Sequence, residues 1–499
     1  MLLLDFALGR RATGFPRFKD FSMTVPMNRR QLLARCGGGL GSIALTTMLA
    51  EQGLLAADTK AISPLAPKKS HFPAKAKAVV WIFVNGGHSH VDTWDYKPEL
   101  IKLDGKPLPS IDKNSGFFTN DVGPLMKSPF EWKQHGQSGK WVTSLFPHLS
   151  KHVDQMAFIH SLWSESNNHS PALFMMNTGL PRMGNPSVGS WVTYGLGSEN
   201  ENLPGFVVMS DPKGRGLPKG HTLNWTSGFL PGAYQGTWLK PSGDPIDNLK
   251  RPADMADPTQ QASIDLMTKL NKRRVADTPA DRELEARIKS FELAYRMQSA
   301  APEAMDIARE TKETHELYGV GRPECDHFAK QCLTARRMVE RGVRFVQIYS
   351  GGMDNQLSWD GHIDIKGNHQ GFADETDRPV AALLTDLKQK GLLDSTLVVW
   401  AGEFGRLPVS QKGAKPGRDH NPHANTAWMA GGGIKGGTTY GETDEVGYRA
   451  AVNRADTHDF HATILHLLGM DHEKLTYMHN GRRYRLTDVA GKVIKEVVA

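Results

Sequence analysis

Six short runs of continuous apolar residues, separated by helical patterns, constrain the fold of this chain more than any other feature. The clearest, KAVVWIFVNGG, is apolar from Ala78 to Val84 and then reaches Asn85-Gly86-Gly87. A short run without polar alternation that ends in glycine is typical of a strand buried on both faces of a parallel sheet. The other five runs cover residues 155–162, 205–210, 343–350, 395–402 and 425–432.

Helical patterns lie between these runs, most clearly over residues 282–298, 378–394 and 458–470. Buried strands that alternate with helices indicate an α/β fold, here a doubly wound, mostly parallel sheet with helices on both faces. The pattern predicts one domain over residues 77–499. Residues 211–260 are rich in Gly, Pro, Trp and Asn, so we expect a long surface excursion there that could face a substrate.

The positive charge of the chain is confined to its first 75 residues. The 499 residues carry a formal net charge of +7, and residues 1–75 alone hold 11 Lys/Arg against 4 Asp/Glu. The remaining residues therefore balance to zero. This distribution gives no indication of a nucleic-acid surface on the folded body.

The N-terminal segment has the pattern of an export signal over residues 1–57, followed by a Pro/Lys/Ala-rich linker over residues 58–76. Arg29-Arg30 precede an apolar run at 37–50 that is too short to span a membrane and too glycine-rich for a core helix. This arrangement resembles a twin-arginine signal. We therefore expect a periplasmic or secreted protein that uses the twin-arginine export machinery and has no stable membrane anchor. The alternative is a basic flank on a buried helix.

Two cysteines fall in the body of the chain, Cys325 and Cys332, and they are seven residues apart in a helical pattern. Two helical turns separate their Cα atoms by roughly 10 Å, which is beyond the reach of a disulfide. We expect free thiols.

Polar clusters follow four of the predicted strands. Ligands in open α/β sheets bind beyond the carboxyl ends of the strands, so these clusters share one expected location. Each cluster also has a purely structural interpretation. The first could be a turn with a helix cap at Asp92 or Thr93, and the second could contain a structural His169. The third could be a solvated loop, and the fourth an Asp419/Arg418 network that holds a loop. The clusters are residues 85–95, 160–169, 351–369, and Glu403 with Asp419-His420.

Two of these clusters have the composition of a metal site. Carboxylate oxygens mixed with imidazole nitrogens suit a borderline divalent ion such as Zn²⁺ or Mn²⁺, and the oxygen-rich part also suits Ca²⁺. We expect a divalent metal ion and five ligands, namely Asp360, His362, Glu403, Asp419 and His420.

The order of the motifs resembles the DUF1501 family of exported bacterial proteins, which is related to the alkaline phosphatase and sulfatase superfamily. The resemblance covers about residues 70–495 and implies an alkaline phosphatase-like α/β domain. The motifs that carry it are GGHSHVDTWDYKP, ALFMMNTG, TARRMVERGVRFVQIY, WDGH, VVWAGEFGR, GRDHNP, AGGGIKGG and HDFHATILHLLGMDH.

Comparison with the superfamily implies catalytic roles for His169 and Asn85. In HSPALFMMNTG, His169 stands where sulfatases have their nucleophile, while the proline and the final Thr-Gly keep their spacing. Asn85 replaces the first metal-binding Asp, Glu403-Phe404 replaces a later Asp-His pair, and His420 is similar to a further metal-binding His. No thiol that could mature to formylglycine is present in this motif.

Two hypotheses of function follow. The first is an exported metal-dependent hydrolase of sulfate or phosphate esters, with a small molecule or a polysaccharide as substrate, in which His169 serves as acid/base or phosphoryl acceptor. The second is a non-catalytic periplasmic binding or scaffold protein on a degenerate hydrolase fold. Metal content discriminates between them.

Overall fold

The computed structural model describes residues 64–112, 114–240, 245–246, 249, 256–277 and 282–499. The predicted signal at 1–57 lies outside the described residues, as does the first part of the predicted linker.

An eight-stranded sheet forms the centre of the described domain, in the order β14-β5-β13-β9-β1-β8-β6-β7. Neighbouring strands are parallel except for β13, which runs antiparallel to both β5 and β9. The sheet strands are β1 (Ala78–Val84), β5 (Met156–Leu162), β6 (Phe206–Met209), β7 (Thr237–Leu239), β8 (Phe345–Ser350), β9 (Thr396–Ala401), β13 (Asn425–Ala430) and β14 (Thr438–Tyr440).

The remaining strands form two-stranded ladders: β2 (Val122–Leu125) with β11 (Val409–Gln411), β3 (Trp132–His135) with β4 (Lys140–Thr143), β10 (Gly405–Arg406) with β12 (His420–Asn421), β15 (Glu442–Thr443) with β16 (Ala450–Val452), and β17 (Tyr477–His479) with β18 (Arg482–Tyr484). The described α-helices are α1 (Pro98–Lys102), α2 (His169–Thr178), α3 (Val188–Leu196), α4 (Asp257–Asp277), α5 (Arg282–Met305), α6 (Lys312–Tyr318), α7 (Asp326–Glu340), α8 (Ile365–Gln389) and α9 (Thr457–Leu467).

Apolar cores cover both faces of the sheet. Alternate residues of β1 point to opposite faces, so Val80 and Ile82 belong to one core and Trp81 and Phe83 to the other. The first core also contains side chains of α7 and α8, and the second contains side chains of α3 and α9. A strand buried on both faces must be apolar throughout, which explains the continuous apolar runs.

The predicted α/β fold is confirmed, including the mostly parallel sheet and the six predicted strands. The helix predicted to start at residue 378 begins at Ile365 instead, where the side chain of Asp364 accepts a hydrogen bond from Gly367 N–H, and it continues through Pro379. Within the predicted excursion, β7 pairs parallel to β6 at the edge of the sheet. Cys325 and Cys332 are free thiols, as predicted.

No helix within the described ranges is both long enough and apolar enough to cross a membrane.

Candidate metal centre

The topology brings the polar clusters to one edge of the sheet. The strands β1, β8 and β9 run parallel in register, so the residues that follow them emerge side by side. Since β13 is antiparallel to β9, the loop between these two strands begins and ends at that same edge. Inside this loop, β10 pairs with β12, which sets Arg406 opposite His420. This short ladder explains how the loop returns His420 to the strand ends.

Asp360 lies at the centre of the cluster, with a side chain only 1% exposed. Its Oδ1 is 2.9 Å from Nε2 of His362 and 3.1 Å from Nε2 of His420. Its Oδ2 is 3.2 Å from Nε2 of His169, the first residue of α2. Three imidazoles from three separate segments therefore direct the same ring nitrogen at one buried carboxylate.

The opposite nitrogen of each ring is held by an acceptor. Nδ1 of His420 is 2.6 Å from the carbonyl oxygen of Asn167, and Nδ1 of His362 is 2.8 Å from Oε1 of Gln411. Nδ1 of His169 is 2.9 Å from Oε1 of Glu403. A carbonyl or carboxylate oxygen can only accept, so each Nδ1 carries the proton. In the neutral rings, each Nε2 is then a bare lone pair.

Two of these lone pairs face each other. Nε2 of His362 and Nε2 of His420 are 3.0 Å apart, and both lie within 3.1 Å of Oδ1 of Asp360. Three acceptor atoms at such distances repel one another unless a proton or a cation lies between them. Metal–ligand distances of about 2.1 Å separate the ligand atoms of one ion by roughly 3.0 to 3.4 Å. The spacing and chemistry of these donors fit a divalent ion, and the Nδ1 hydrogen bonds are those typical of metal-binding histidines.

The charge balance also fits a divalent ion. Asp360, Glu403 and Asp419 contribute three negative charges, and all three are buried. Arg406 contributes one positive charge, with its guanidinium 2.6 Å from Oδ1 of Asp360. With all three imidazoles neutral the cluster has a formal charge of two negative, and a proton on His169, which its raised pKa favours in the absence of a metal ion, leaves one negative charge. Buried charge without compensation is costly, so a divalent cation would remove a large penalty.

The pKa values of three groups in the cluster shift in different directions. Burial lowers the pKa of His169, but its contacts with Asp360 and Glu403 outweigh burial and raise the pKa to about 9. Burial raises the pKa of Asp360, yet Arg406 and the imidazoles hold it well below its usual range. Burial and the neighbouring His169 lower the pKa of His420 well below its ordinary value. His420 is therefore neutral, the form in which imidazole binds metal ions.

A small cavity of about 40 Å³ opens onto the cluster. Room for a water needs roughly 10–15 Å³, so the cavity has space for about three waters or a small anionic group. Lys219 and Asp354 form an ion pair of 2.6 Å on one wall. The remaining lining residues are Phe117, Phe118, Asn168, His169, Asn355, Asp360, His362 and His420.

The sequence-predicted ligands lie together, although they do not all face the same atom. Glu403 contacts His169 rather than Asp360, and its Oε1 also accepts the backbone N–H of Gly86 at 2.9 Å. Asp419 accepts the backbone N–H groups of Phe118 and His420, both at 2.7 Å, and lies 3.7 Å from Nδ1 of His362. Among the predicted ligands, Asp360, His362 and His420 thus form the tight donor set, while Glu403 and Asp419 surround it.

Asn85 lies beside the cluster. It follows β1 directly, its Nδ2 donates to the carbonyl oxygen of Gly352, and its Oδ1 is buried without a hydrogen-bond partner among the described residues. Asn85 is not part of the cavity wall.

Three other polar residues of the four clusters have structural partners. Asp92 forms a two-point ion pair with Arg418, and Asp95 pairs with Lys97 at 3.2 Å. Nε2 of His369 accepts the backbone N–H of Ser89 at 2.8 Å. In the loop that carries Arg418 and Asp419, Arg418 is paired with Asp92, while Asp419 accepts backbone N–H groups of Phe118 and His420.

Sequence reasoning missed Arg406, Lys219, Phe117 and Phe118. Arg406 lies in the quoted GEFGR motif, so its position next to Glu403 was a usable signal. The adjacent phenylalanines lie in a polar, glycine-containing segment, where two large apolar side chains are unusual. Nothing in the sequence around Lys219 distinguishes it from other surface lysines.

A second carboxylate–imidazole group, Asp211, His327 and Glu375, lies elsewhere in the described domain. Arg215 contacts both carboxylates, at 2.5 Å for Asp211 and 2.6 Å for Glu375, and Lys213 lies 2.8 Å from Glu375. Two cationic side chains already balance this group, so it is an ion-pair network.

Comparisons with known proteins gave one family and several remote structures. The model of a family described as "Protein of unknown function (DUF1501)" matches residues 76–498. No curated protein matches the chain.

Three solved structures illustrate the remote likenesses. A sulfatase from Pseudoalteromonas sp. has a TM-score of 0.33 and 13% identity, covering 90% of this chain and 73% of its own. A phosphonate monoester hydrolase from Silicibacter pomeroyi has a TM-score of 0.32 and 10% identity. The match covers 80% of this chain and 73% of the hydrolase. A lipoteichoic acid synthase from Listeria monocytogenes has a TM-score of 0.32 and 10% identity. The match covers 88% of this chain and 80% of the synthase. Because these TM-scores and identities are low, the chemistry of the site is argued from the residues of this chain alone.

Proposed function

This chain belongs to the DUF1501 family, and we propose that it is an exported metal-dependent hydrolase of sulfate or phosphate esters. The observation that carries the proposal is the donor set at Asp360, where the bare Nε2 atoms of His362 and His420 lie 3.0 Å apart beside a carboxylate oxygen. Two imidazoles and one carboxylate, with a cavity in front of them, are a ligand set found in catalytic metal sites with open positions.

In this proposal, Asp360, His362 and His420 hold a divalent ion, with Zn²⁺ and Mn²⁺ as the first candidates and Ca²⁺ less suited to two imidazoles. The ion would supply Lewis-acid charge that stabilises the anion developing during ester hydrolysis. Glu403 and Asp419 act as positioning residues around this set, since each orders a neighbouring imidazole or its backbone.

His169 is the proposed general acid/base. Glu403 accepts its Nδ1–H at 2.9 Å and is itself held by the backbone N–H of Gly86, which fixes the ring so that Nε2 faces the cavity side of Asp360. A carboxylate-oriented imidazole is the arrangement that transfers protons in many hydrolases. Nε2 of His169 is buried, lies 3.2 Å from Oδ2 of Asp360 and has no hydrogen-bond partner among the described residues. It is therefore available to a substrate.

One further group of the cavity wall would bind the substrate, and a residue outside the wall would position the strand end. Lys219 lies at the cavity wall with its ammonium group partly exposed, so it can attract the negative charge of a sulfate or phosphate ester. Asn85 is predicted to be catalytic, but it lies outside the cavity wall and its Nδ2 donates to the carbonyl oxygen of Gly352, so we propose that it positions the strand end.

The second candidate is a non-catalytic periplasmic binding or scaffold protein, and one observation favours it. Arg406 is fully buried and contacts Asp360 at 2.6 Å, so the central carboxylate already has a cationic partner without a metal ion. In that case the cluster would be a structural polar network.

Metal analysis combined with turnover decides between the two. The mature protein, purified without chelators, should contain close to one Zn or Mn per chain and should hydrolyse 4-nitrophenyl phosphate or 4-nitrophenyl sulfate. His169→Gln should remove turnover and retain the metal, whereas His420→Ala should lose both. His135→Ala, on β3 and outside the cluster, is the matched control and should change neither. A protein that holds no metal after reloading with Zn²⁺ or Mn²⁺ contradicts the hydrolase proposal.

A further inference from the structure

We infer that the ester cleaved at this site has an apolar alcohol part, and that Phe117 and Phe118 bind it. The inference rests on the hydrolase function proposed above and narrows its substrate class. The two rings meet edge to face, with centroids 5.2 Å apart, and both belong to the wall of the cavity.

These phenylalanines contact the proposed metal ligands and are nevertheless exposed. The ring of Phe118 packs edge-on against His362 at 4.9 Å, and the ring of Phe117 lies 5.7 Å from His420. Phe117 is 49% exposed and Phe118 is 38% exposed. Two neighbouring aromatic side chains at the mouth of a polar cavity offer an apolar surface where a substrate must pass.

Buried groups hold this segment in place. The backbone N–H of Phe118 donates to Oδ2 of Asp419 at 2.7 Å, and Nδ2 of Asn167 donates to the carbonyl oxygen of Gly116 at 2.8 Å. The same Asp419 binds the backbone of His420. Because the rings are anchored to the cluster before a substrate arrives, binding to them requires little additional ordering.

The surroundings of the mouth favour an apolar alcohol over a sugar. The apolar part of the cavity wall consists of Phe117 and Phe118, which carry no hydrogen-bonding group in their side chains. Their rings cannot hydrogen-bond to the hydroxyl groups of a sugar, whereas they do bury alkyl or aryl carbon atoms favourably. The small cavity would accept only the anionic group, with Lys219 on its wall. The apolar part of the substrate would then remain at the rim, against the two rings.

Binding of non-hydrolysable probes tests the inference independently of turnover. Calorimetry on the metal-loaded protein would compare phenylphosphonate with methylphosphonate, and benzenesulfonate with methanesulfonate. Glucose 6-phosphate serves as the sugar probe. We expect the phenyl member of at least one pair to bind about tenfold more tightly than its methyl partner, because part of the ring leaves water. The double variant Phe117→Ala/Phe118→Ala should lose this difference while its affinity for the methyl probe stays the same.

Phe291→Ala is the matched control, because Phe291 is an exposed phenylalanine on α5 that does not line the cavity. It should retain the tenfold difference. Equal binding of phenyl and methyl probes, or tighter binding of glucose 6-phosphate, overturns the inference and leaves the hydrolase proposal standing. Failure of every anionic probe to bind overturns both. The wild-type comparison of probes remains decisive if the double variant does not fold.

Discussion

The carbonyl oxygen of Asn167 lies 2.6 Å from Nδ1 of His420. A carbonyl can only accept, so this contact fixes the proton of His420 on Nδ1 and leaves Nε2 bare toward Asp360. Asn167 lies just before α2, whose first residue is His169. The backbone of Asn167 therefore sets the tautomer of His420, a proposed metal ligand. Two residues later, α2 begins with His169, the proposed acid/base.

Removal of His420 should abolish tight metal binding. In the His420→Ala variant, one of three donors is lost, and we expect the affinity for Zn²⁺ or Mn²⁺ to fall by more than about 100-fold, since loss of an outer hydrogen bond alone costs 10–100-fold. Competition with a chromophoric chelator measures the affinity. The His135→Ala variant serves as the control. Unchanged affinity in His420→Ala would place the ion elsewhere.

Asp419 should matter for metal affinity without being a ligand. Asp419→Asn removes one of two carboxylate acceptors for the backbone N–H groups of Phe118 and His420, so we expect about a tenfold loss of metal affinity. Asp444→Asn is the matched control, because Asp444 also accepts backbone N–H groups, those of Tyr448 and Arg449, in a loop outside the cluster. A loss in Asp419→Asn as large as that in His420→Ala would show instead that Asp419 binds the ion directly.

The fold and the meeting point of the cluster follow from the sequence for a simple physical reason. Continuous apolar runs mark doubly buried strands, and parallel strands bring their carboxyl ends to one edge. Asp360 and His420 could be placed together on that basis.

The separate functions of the carboxylates could not be predicted in the same way. Asp419 and Phe118 are 301 residues apart, and no local pattern links them. Arg406 lies opposite His420 in the two-residue ladder of β10 and β12 and contacts Asp360 from there. Contacts between residues far apart in the chain produce no periodic pattern in the sequence. A carboxylate that binds a metal ion also cannot be distinguished in the sequence from one that accepts backbone N–H groups.

Asp92 should be important for stability rather than for chemistry. Its carboxylate receives two hydrogen bonds from Arg418, at 2.6 and 3.0 Å, and both side chains are fully buried. Asp92→Ala leaves the buried guanidinium without its partner, so we expect a loss of about 3–5 kcal/mol in the free energy of unfolding. Urea unfolding measures the loss. Glu99→Ala, which breaks the exposed ion pair with Lys102, is the control and should cost far less, because solvent screens exposed ion pairs.

Export should depend on the paired arginines. Arg29-Arg30 precede the apolar run at 37–50, and the twin-arginine machinery reads this pair. Replacement of both by lysine keeps the charge, so loss of export would report recognition of arginine itself. We expect Arg29→Lys/Arg30→Lys precursor to accumulate in the cytoplasm, as measured by cell fractionation and immunoblotting. Mature double variant outside the cytoplasm at the normal level contradicts the proposed signal.

Acid should destabilise the domain through buried neutral histidines, and His461 on α9 offers the clearest case. The ring is fully buried, with Nε2–H donating to the carbonyl oxygen of Met176 at 2.8 Å. Burial lowers the pKa of His461 to about 3, although the Met176 carbonyl partly opposes this. In the unfolded chain the pKa is about 6.5. The folded pKa is the lower one, so the unfolded state binds the extra proton first as the pH falls.

The stability contributed by neutral His461 is therefore complete above about pH 6.5 and is lost progressively between pH 6.5 and 3, by up to about 1.4 kcal/mol per pH unit. His461→Gln cannot take up this proton. Urea unfolding at pH 7.5, 6, 5 and 4 should show a shallower decline in the variant, by about one proton, even if its stability at pH 7.5 is lower. His472→Gln is the control, because His472 is only partly buried, and its decline should stay closer to that of the wild type. Parallel pH profiles for wild type and His461→Gln would show that this ring is protonated in the folded state.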